Sequence, residues 1–252
     1  MFCGVLFSDL SAFWGSIDFS TSAQADPNDR RQVKRDAVYL PRPKPLGKEI
    51  LVEAHSTYGE TIASFAESFV GSGEYCARGE CWDLANEALK YFDEFDYVPK
   101  PVPSISRTHG HLVYEGKALG KGQGMVGRWR GGDDRVRRGD IVEWRLVRIA
   151  TYGAPPGNYS TLGEPDHTAV VVRETVPRVV VEDGGPLSPE ELGSLEVVEQ
   201  SVGQLPERRV YDLRGFEEGE MWIYRPVGLE AYLGVQGVTA KRPEQVVGFL
   251  RV

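Results

Sequence analysis

The sequence predicts an α+β fold in which N-terminal helices pack on a mostly antiparallel sheet. Helical periodicity is confined to residues 53–93, whereas residues 139–227 hold short runs rich in Val, Ile, Tyr and Trp, bounded by Gly, Pro and Asp. The two patterns follow one another and do not alternate, as a βαβ chain would require. With 252 residues, 41% of them hydrophobic, the chain is long enough to bury one principal core.

Residues 1–48 read as an extension without regular structure or a linker, ahead of a folded domain at 49–252. The opening "MFCGVLFSDLSAFWGSIDF" is apolar, but it lacks a basic lead-in, and Asp9 and Asp18 interrupt it, so no secretory leader is expected. Further on, "LPRPKPLGK" alternates prolines that prevent helix and favour an extended segment. That segment is a plain linker or a polyproline II ligand for an SH3 domain.

The helices come next. "EAHSTYGETIASFAESFVG" spaces Ile62, Phe65, Ala66 and Phe69 on one face and stops at Gly71. After "ARGE", Trp82, Ala85, Leu89 and Phe92 form a second buried stripe, with Glu87, Lys90 and Asp93 turned outward. Six strands are then expected, in "GDIVEWRLV", "HTAVVVRET", "PRVVVED", "SLEVVEQSV", "ERRVYDL" and "GEMWIYRPV". Residues 115–138 and 150–166 read as Gly-rich loops, the first locally basic but diluted by Asp133 and Asp134 and hence solvated. The stretch "RPVGLEAYLGVQGV" is expected to pack a short helix after the last strand.

A net charge of -8 disfavours nucleic acid, because such surfaces attract an excess of Lys and Arg. No stretch approaches the ~20 apolar residues of a membrane span. Three cysteines, an odd number, make a disulfide framework improbable and favour a reducing, cytoplasmic setting. Neither a cofactor nor a metal is expected. His109 and His111 of "HGH" do not complete a zinc site with Cys76 and Cys81, whose spacing is long for a structural pair. A loop or surface role is expected for both histidines.

Chemistry concentrates at Cys81, which opens the second helix. A helix N-terminus stabilises a thiolate through unpaired N–H groups and the positive end of its dipole. A thiol nucleophile also needs a base, normally an imidazole, and a polar group to orient that base. His167 heads an apolar strand, and a later strand offers Glu199 and Gln200 on opposite faces, either of which can accept the second imidazole N–H.

The ordered pieces "GECWDLA", "RRGDIVEW", "DHTAVVV" and "VVEQSVG" resemble the papain-like CHAP and NlpC/P60 cysteine hydrolases. More closely, "GECWDLANEAL", "PDHTAVVV" and "GEMWIYRPVG" look like the cysteine-proteinase-fold domain at the C-terminus of fungal actin-patch SH3 proteins, the myosin-tail-interacting group. The resemblance spans residues 58–228 and implies a papain-like fold. It also implies Cys81 as nucleophile, His167 as base and Glu199 at the acidic position of the orienting strand, with Gln200 beside it. Ser201 stands where those hydrolases often carry Asn. The implied activity is peptidase- or amidase-like, on a protein or peptide. The same resemblance admits a non-catalytic interaction module of the cortical actin machinery, located at cortical actin patches.

Overall fold

The computed structural model describes residues 1–7, 11–19, 26, 28, 29, 31–41, 44–151 and 157–230. These divide into two units, one within Met1–Lys44 and one within Pro45–Tyr232. The first differs from the unstructured extension expected there. It carries three strands, β1 (Phe2–Leu6), β2 (Ala12–Phe19) and β3 (Val33–Leu40), paired antiparallel in that order. Most of their described side chains stay exposed or half-buried, which is why their weak apolar alternation reads poorly in the sequence. Arg42 and Pro43 of the proline-rich stretch, and residues 231–238 of the expected terminal helix, lie outside the described residues.

In the second unit, α1 (Lys48–Ala54), a π-helical turn (His55–Gly59) and α2 (Glu60–Ser68) run on as one helical stretch, beginning earlier than the periodicity suggests. Gly59 allows this stretch to touch the turn before the sheet. A Cβ there would lie 2.7 Å from the Arg138 carbonyl oxygen, and one on Gly139 would lie 2.4 Å from the Gly59 Cα. Next comes α3 (Cys81–Lys90).

Seven strands form the sheet: β4 (His111–Leu119), β5 (Met125–Trp129), β6 (Ile141–Ala150), β7 (Tyr159–Val171), β8 (Ser194–Ser201), β9 (Gln204–Asp212) and β10 (Phe216–Arg225). Their order is β5-β4-β10-β6-β7-β8-β9, and every pairing is antiparallel. This is the α+β class expected.

Both faces of the sheet are covered. Leu51, Ile62, Leu84, Ala88 and Phe92 from the helices pack on Ile141, Val170 and Val198. The opposite face buries Trp129, Trp144, Ala169, Val171, Val197 and Met221 beneath Leu187 and Leu192, the second of which belongs to the short helix α4 (Pro189–Leu192). The uninterrupted apolar run at 169–172 is thus a strand sided by two cores.

Four expectations fail. The stretch "PRVVVED" forms no strand; Val180 is 95% exposed, so the run has apolar letters without a partner sheet. Residues 115–138 hold most of β4 and all of β5, because the glycines that suggest a loop are sites of close approach. Gly116 faces Gly127 across the ladder, and a Cβ on Gly127 would lie 2.4 Å from the Tyr114 hydroxyl. Residues 150–166 likewise contain the first part of β7. Nor is the basic stretch merely solvated, since Asp133 is buried in ion pairs with Arg137 and Arg225.

Candidate active site

Three backbone elements converge where β7 and β8 part. The strands are joined by Val170↔Val198 and Val171↔Val197, and this pairing stops short of His167 and Glu199. The N-terminus of α3 fits there, packed against both strands, so the first helical residue, Cys81, meets the backbone of β7. Its Sγ lies 3.8 Å from the Asp166 carbonyl oxygen.

The loop entering α3 is held rigidly. The Asp83 carboxylate is buried and accepts the Arg78 N–H at 2.9 Å and the Glu80 N–H at 3.1 Å. From β8, the Gln200 amide closes the other side: Oε1 accepts the Cys76 N–H at 3.0 Å, and Nε2 donates to the carbonyls of Cys76 at 3.0 Å and Glu80 at 2.9 Å. Gln200 is therefore committed to the loop and does not take the orienting position at His167 that its place beside Glu199 allowed. Gln200→Ala would strand the buried Cys76 N–H, while the Cys76 and Glu80 carbonyls would keep only the N–H groups of Gly79 and Asp83. Urea denaturation is expected to show a loss of about 1–3 kcal/mol, the cost of one unsatisfied buried donor.

Glu199 occupies that position instead. Alternation puts it on the opposite face from Gln200, where its Oε2 lies 3.0 Å from His167 Nε2. Its Oε1 accepts the Tyr211 hydroxyl at 2.5 Å, and the Tyr211 ring meets Trp144 edge-on at 5.8 Å between centroids. With Nε2 engaged by Glu199, the imidazole is left with Nδ1 for Cys81. Ser201 makes no contact with this chain of groups among the described hydrogen bonds. Sequence reasoning missed Tyr211, whose only signal was an aromatic residue on the strand paired with β8.

The electrostatics follow from these contacts. Burial works to lower the pKa of His167, but hydrogen bonds to Cys81 and Glu199, reinforced by their charges, push it up to about 9. Burial likewise raises Cys81. The hydrogen bond from His167, its positive charge, and the N–H groups of Thr168 and Trp82 outweigh that effect and leave the thiol below its ordinary value. Cys76 behaves oppositely: fully buried beside Glu87 and Asp83, it is pushed up to about 12, chiefly by burial. All three cysteines are free. Cys81 is only partly buried, so it combines access with thiolate character.

His109 and His111 are buried rather than on the surface, and His109 is engaged by Ser104 and Glu143. No helix among the described residues is long and apolar enough to cross a membrane.

Comparison with known proteins matches residues 33–237 to the family model described as "AIM3/BBC1 Cysteine proteinase-fold domain". A curated relative, "Altered inheritance of mitochondria protein 3" of Debaryomyces hansenii, is 30% identical over 145 residues, 55% of this chain. The match spans 15% of that relative's length. Among solved structures, "The crystal structure of Ly7917" aligns with a TM-score of 0.32 and 17% identity, covering 67% of this chain and 63% of that one.

Proposed function

The chain belongs to the AIM3/BBC1 cysteine proteinase-fold family, and on that basis we propose that it is a thiol hydrolase of amide or isopeptide bonds in a protein or peptide. The observation that carries this reading is the Cys81–His167–Glu199 chain, with an accessible thiol held below its ordinary pKa beside an imidazole held above its own.

The thiolate of Cys81 attacks the carbonyl carbon. The developing oxyanion is met by the Cys81 N–H, which at the first position of α3 has no acceptor within the helix. His167 gives its proton to the leaving nitrogen as the C–N bond breaks, leaving an acyl-enzyme. A water molecule deprotonated by His167 then attacks the thioester and expels the thiol sulfur as thiolate, which restores the thiolate–imidazolium pair and releases a carboxylic acid that gives its proton to solvent. Glu199 keeps the imidazole oriented, and Tyr211 fixes Glu199.

The test is the pH dependence of Cys81 alkylation by iodoacetamide in the protein with Cys3→Ser and Cys76→Ser. A midpoint well below the free-cysteine value of ~8.5 is expected. A midpoint at or above that value would overturn the proposal.

The competing reading is a non-catalytic interaction module in the cytoplasm at cortical actin patches. It is favoured by the proline-rich segment, whose described residues Pro41 and Lys44–Gly47 carry no helix or strand and are largely exposed, as an SH3 ligand would be. An inert thiol together with SH3 binding to this segment would select it.

A further inference from the structure

Remote from Cys81 in the strand order, the β5-β4-β10 end of the sheet carries a cleft of about 520 Å³ lined by Arg107, Glu115, Lys117, Arg128, Glu220 and Trp222, among others. Its two carboxylates are already matched: Glu115 pairs with Arg130 at 2.6 Å and Glu220 with Lys117 at 3.0 Å. Arg107 and Arg128 have no ion pair among the described residues. The cleft thus offers two uncommitted guanidinium groups.

Arg107 is also fixed in place. It has a φ of 63°, a left-handed conformation unusual for a residue with a side chain, in the tight turn closed by Ile105 and Thr108. Its N–H donates to Glu143 Oε2 at 2.7 Å, and its carbonyl accepts the Tyr224 hydroxyl at 3.0 Å. The guanidinium lies 3.4 Å from the centroid of the Trp222 ring, a stacking that leaves the in-plane N–H edge free.

The same Glu143 oxygen lies 2.9 Å from His109 Nε2, and His109 Nδ1 lies 2.7 Å from Ser104 Oγ. This order of hydroxyl, imidazole and carboxylate copies a hydrolytic triad. However, Ser104 and His109 are only 3% and 1% exposed, closed to any substrate. What the network does visibly is hold the turn that presents Arg107.

We propose that this cleft binds a phosphorylated side chain of a peptide, with Arg107 and Arg128 forking its oxygens. Two guanidinium groups match a dianion. Glu115 and Glu220 in the same cleft, and the chain's charge of -8, oppose a densely anionic membrane and suit a single phosphoryl group on an otherwise neutral or basic segment.

Calorimetric titration of the whole chain with acetyl-Gly-phosphoserine-Gly-amide and its unphosphorylated form tests this. The phosphopeptide is expected to bind, the serine peptide not to, and Arg107→Gln or Arg128→Gln to weaken binding by about tenfold. Arg128 is exposed and outside the buried network, so Arg128→Gln remains informative if Arg107→Gln disturbs its turn. Absence of binding, or binding that both variants retain in full, overturns the proposal. So does capture of phosphatidylcholine vesicles doped with a phosphoinositide without binding of the phosphopeptide, because the ligand would then be a lipid.

Discussion

His167→Ala is expected to slow alkylation of Cys81 at neutral pH by about tenfold or more and to move its midpoint above the ordinary thiol value of ~8.5. Burial opposes the thiolate, and the influences that overcome it come first from His167, through a hydrogen bond and a positive charge. Without the imidazole only the Thr168 and Trp82 N–H groups remain to offset burial. The wild-type protein should show a lowered midpoint and the variant a raised one. An unchanged midpoint would mean that the helix terminus alone sets the thiol, and that His167 has no part in activating it.

The wild-type pH window follows from the two shifts. His167 is raised in the folded state, so its contribution to stability is full below its unfolded value of ~6.5 and is lost as pH rises through about 9. Cys81 is lowered, so its contribution is full above the unfolded thiol value and is lost as pH falls through the folded one. The thiolate–imidazolium pair exists between the folded values of the two groups. Hydrolysis should rise as Cys81 ionises and fall again through about pH 9, when the imidazolium no longer has a proton for the leaving nitrogen. The variant loses both limbs.

How much of this was legible in the sequence depends on which physical signal each element uses. The start of α3 at Cys81 was readable because the buried stripe Ala85, Leu89 and Phe92 has helical period and the glycine and charged residues before it break the pattern. The strands β6 to β10 were readable as β-branched and aromatic runs, although the extent of β7 was not. By contrast β4 and β5 hid behind Gly116 and Gly127, since composition does not distinguish a glycine that permits close backbone approach from one that permits a turn. Alternation separated Glu199 from Gln200 but could not say which of them faces His167, because β8 is buried on both sides. That choice is made by where β7 and β8 part and by Tyr211, both products of tertiary packing.

Arg225→Ala is expected to lower the unfolding free energy by about 3–5 kcal/mol, the range for removing one partner of a buried ionic cluster. Arg225 is 0% exposed. It forks Asp140 with two bonds of 2.9 Å, pairs with Asp133, and donates to the Arg135 carbonyl at 3.2 Å. It thereby ties the end of β10 to the turn that leads into β6. Alanine would leave Asp140 with the backbone N–H of Arg137 at 2.7 Å but with no cation among the described residues, and Asp133 with the Arg137 side chain. The loss should depend on pH with a definite sign. Burial pushes the Asp133 carboxyl up, and hydrogen bonds from Arg137, the Asp134 N–H and Arg225 outweigh it and hold it below its ordinary range. In the wild type its stabilising contribution is therefore present above the unfolded value and lost as pH falls through the folded one. Removing Arg225 raises the folded value, so the variant can relieve its buried charge by taking up a proton at a pH where the wild type cannot. Urea unfolding of the two proteins should diverge most at neutral pH and converge below about pH 4. A difference that stays constant with pH would mean that Arg225 stabilises the sheet through packing of its side chain and not through its charge.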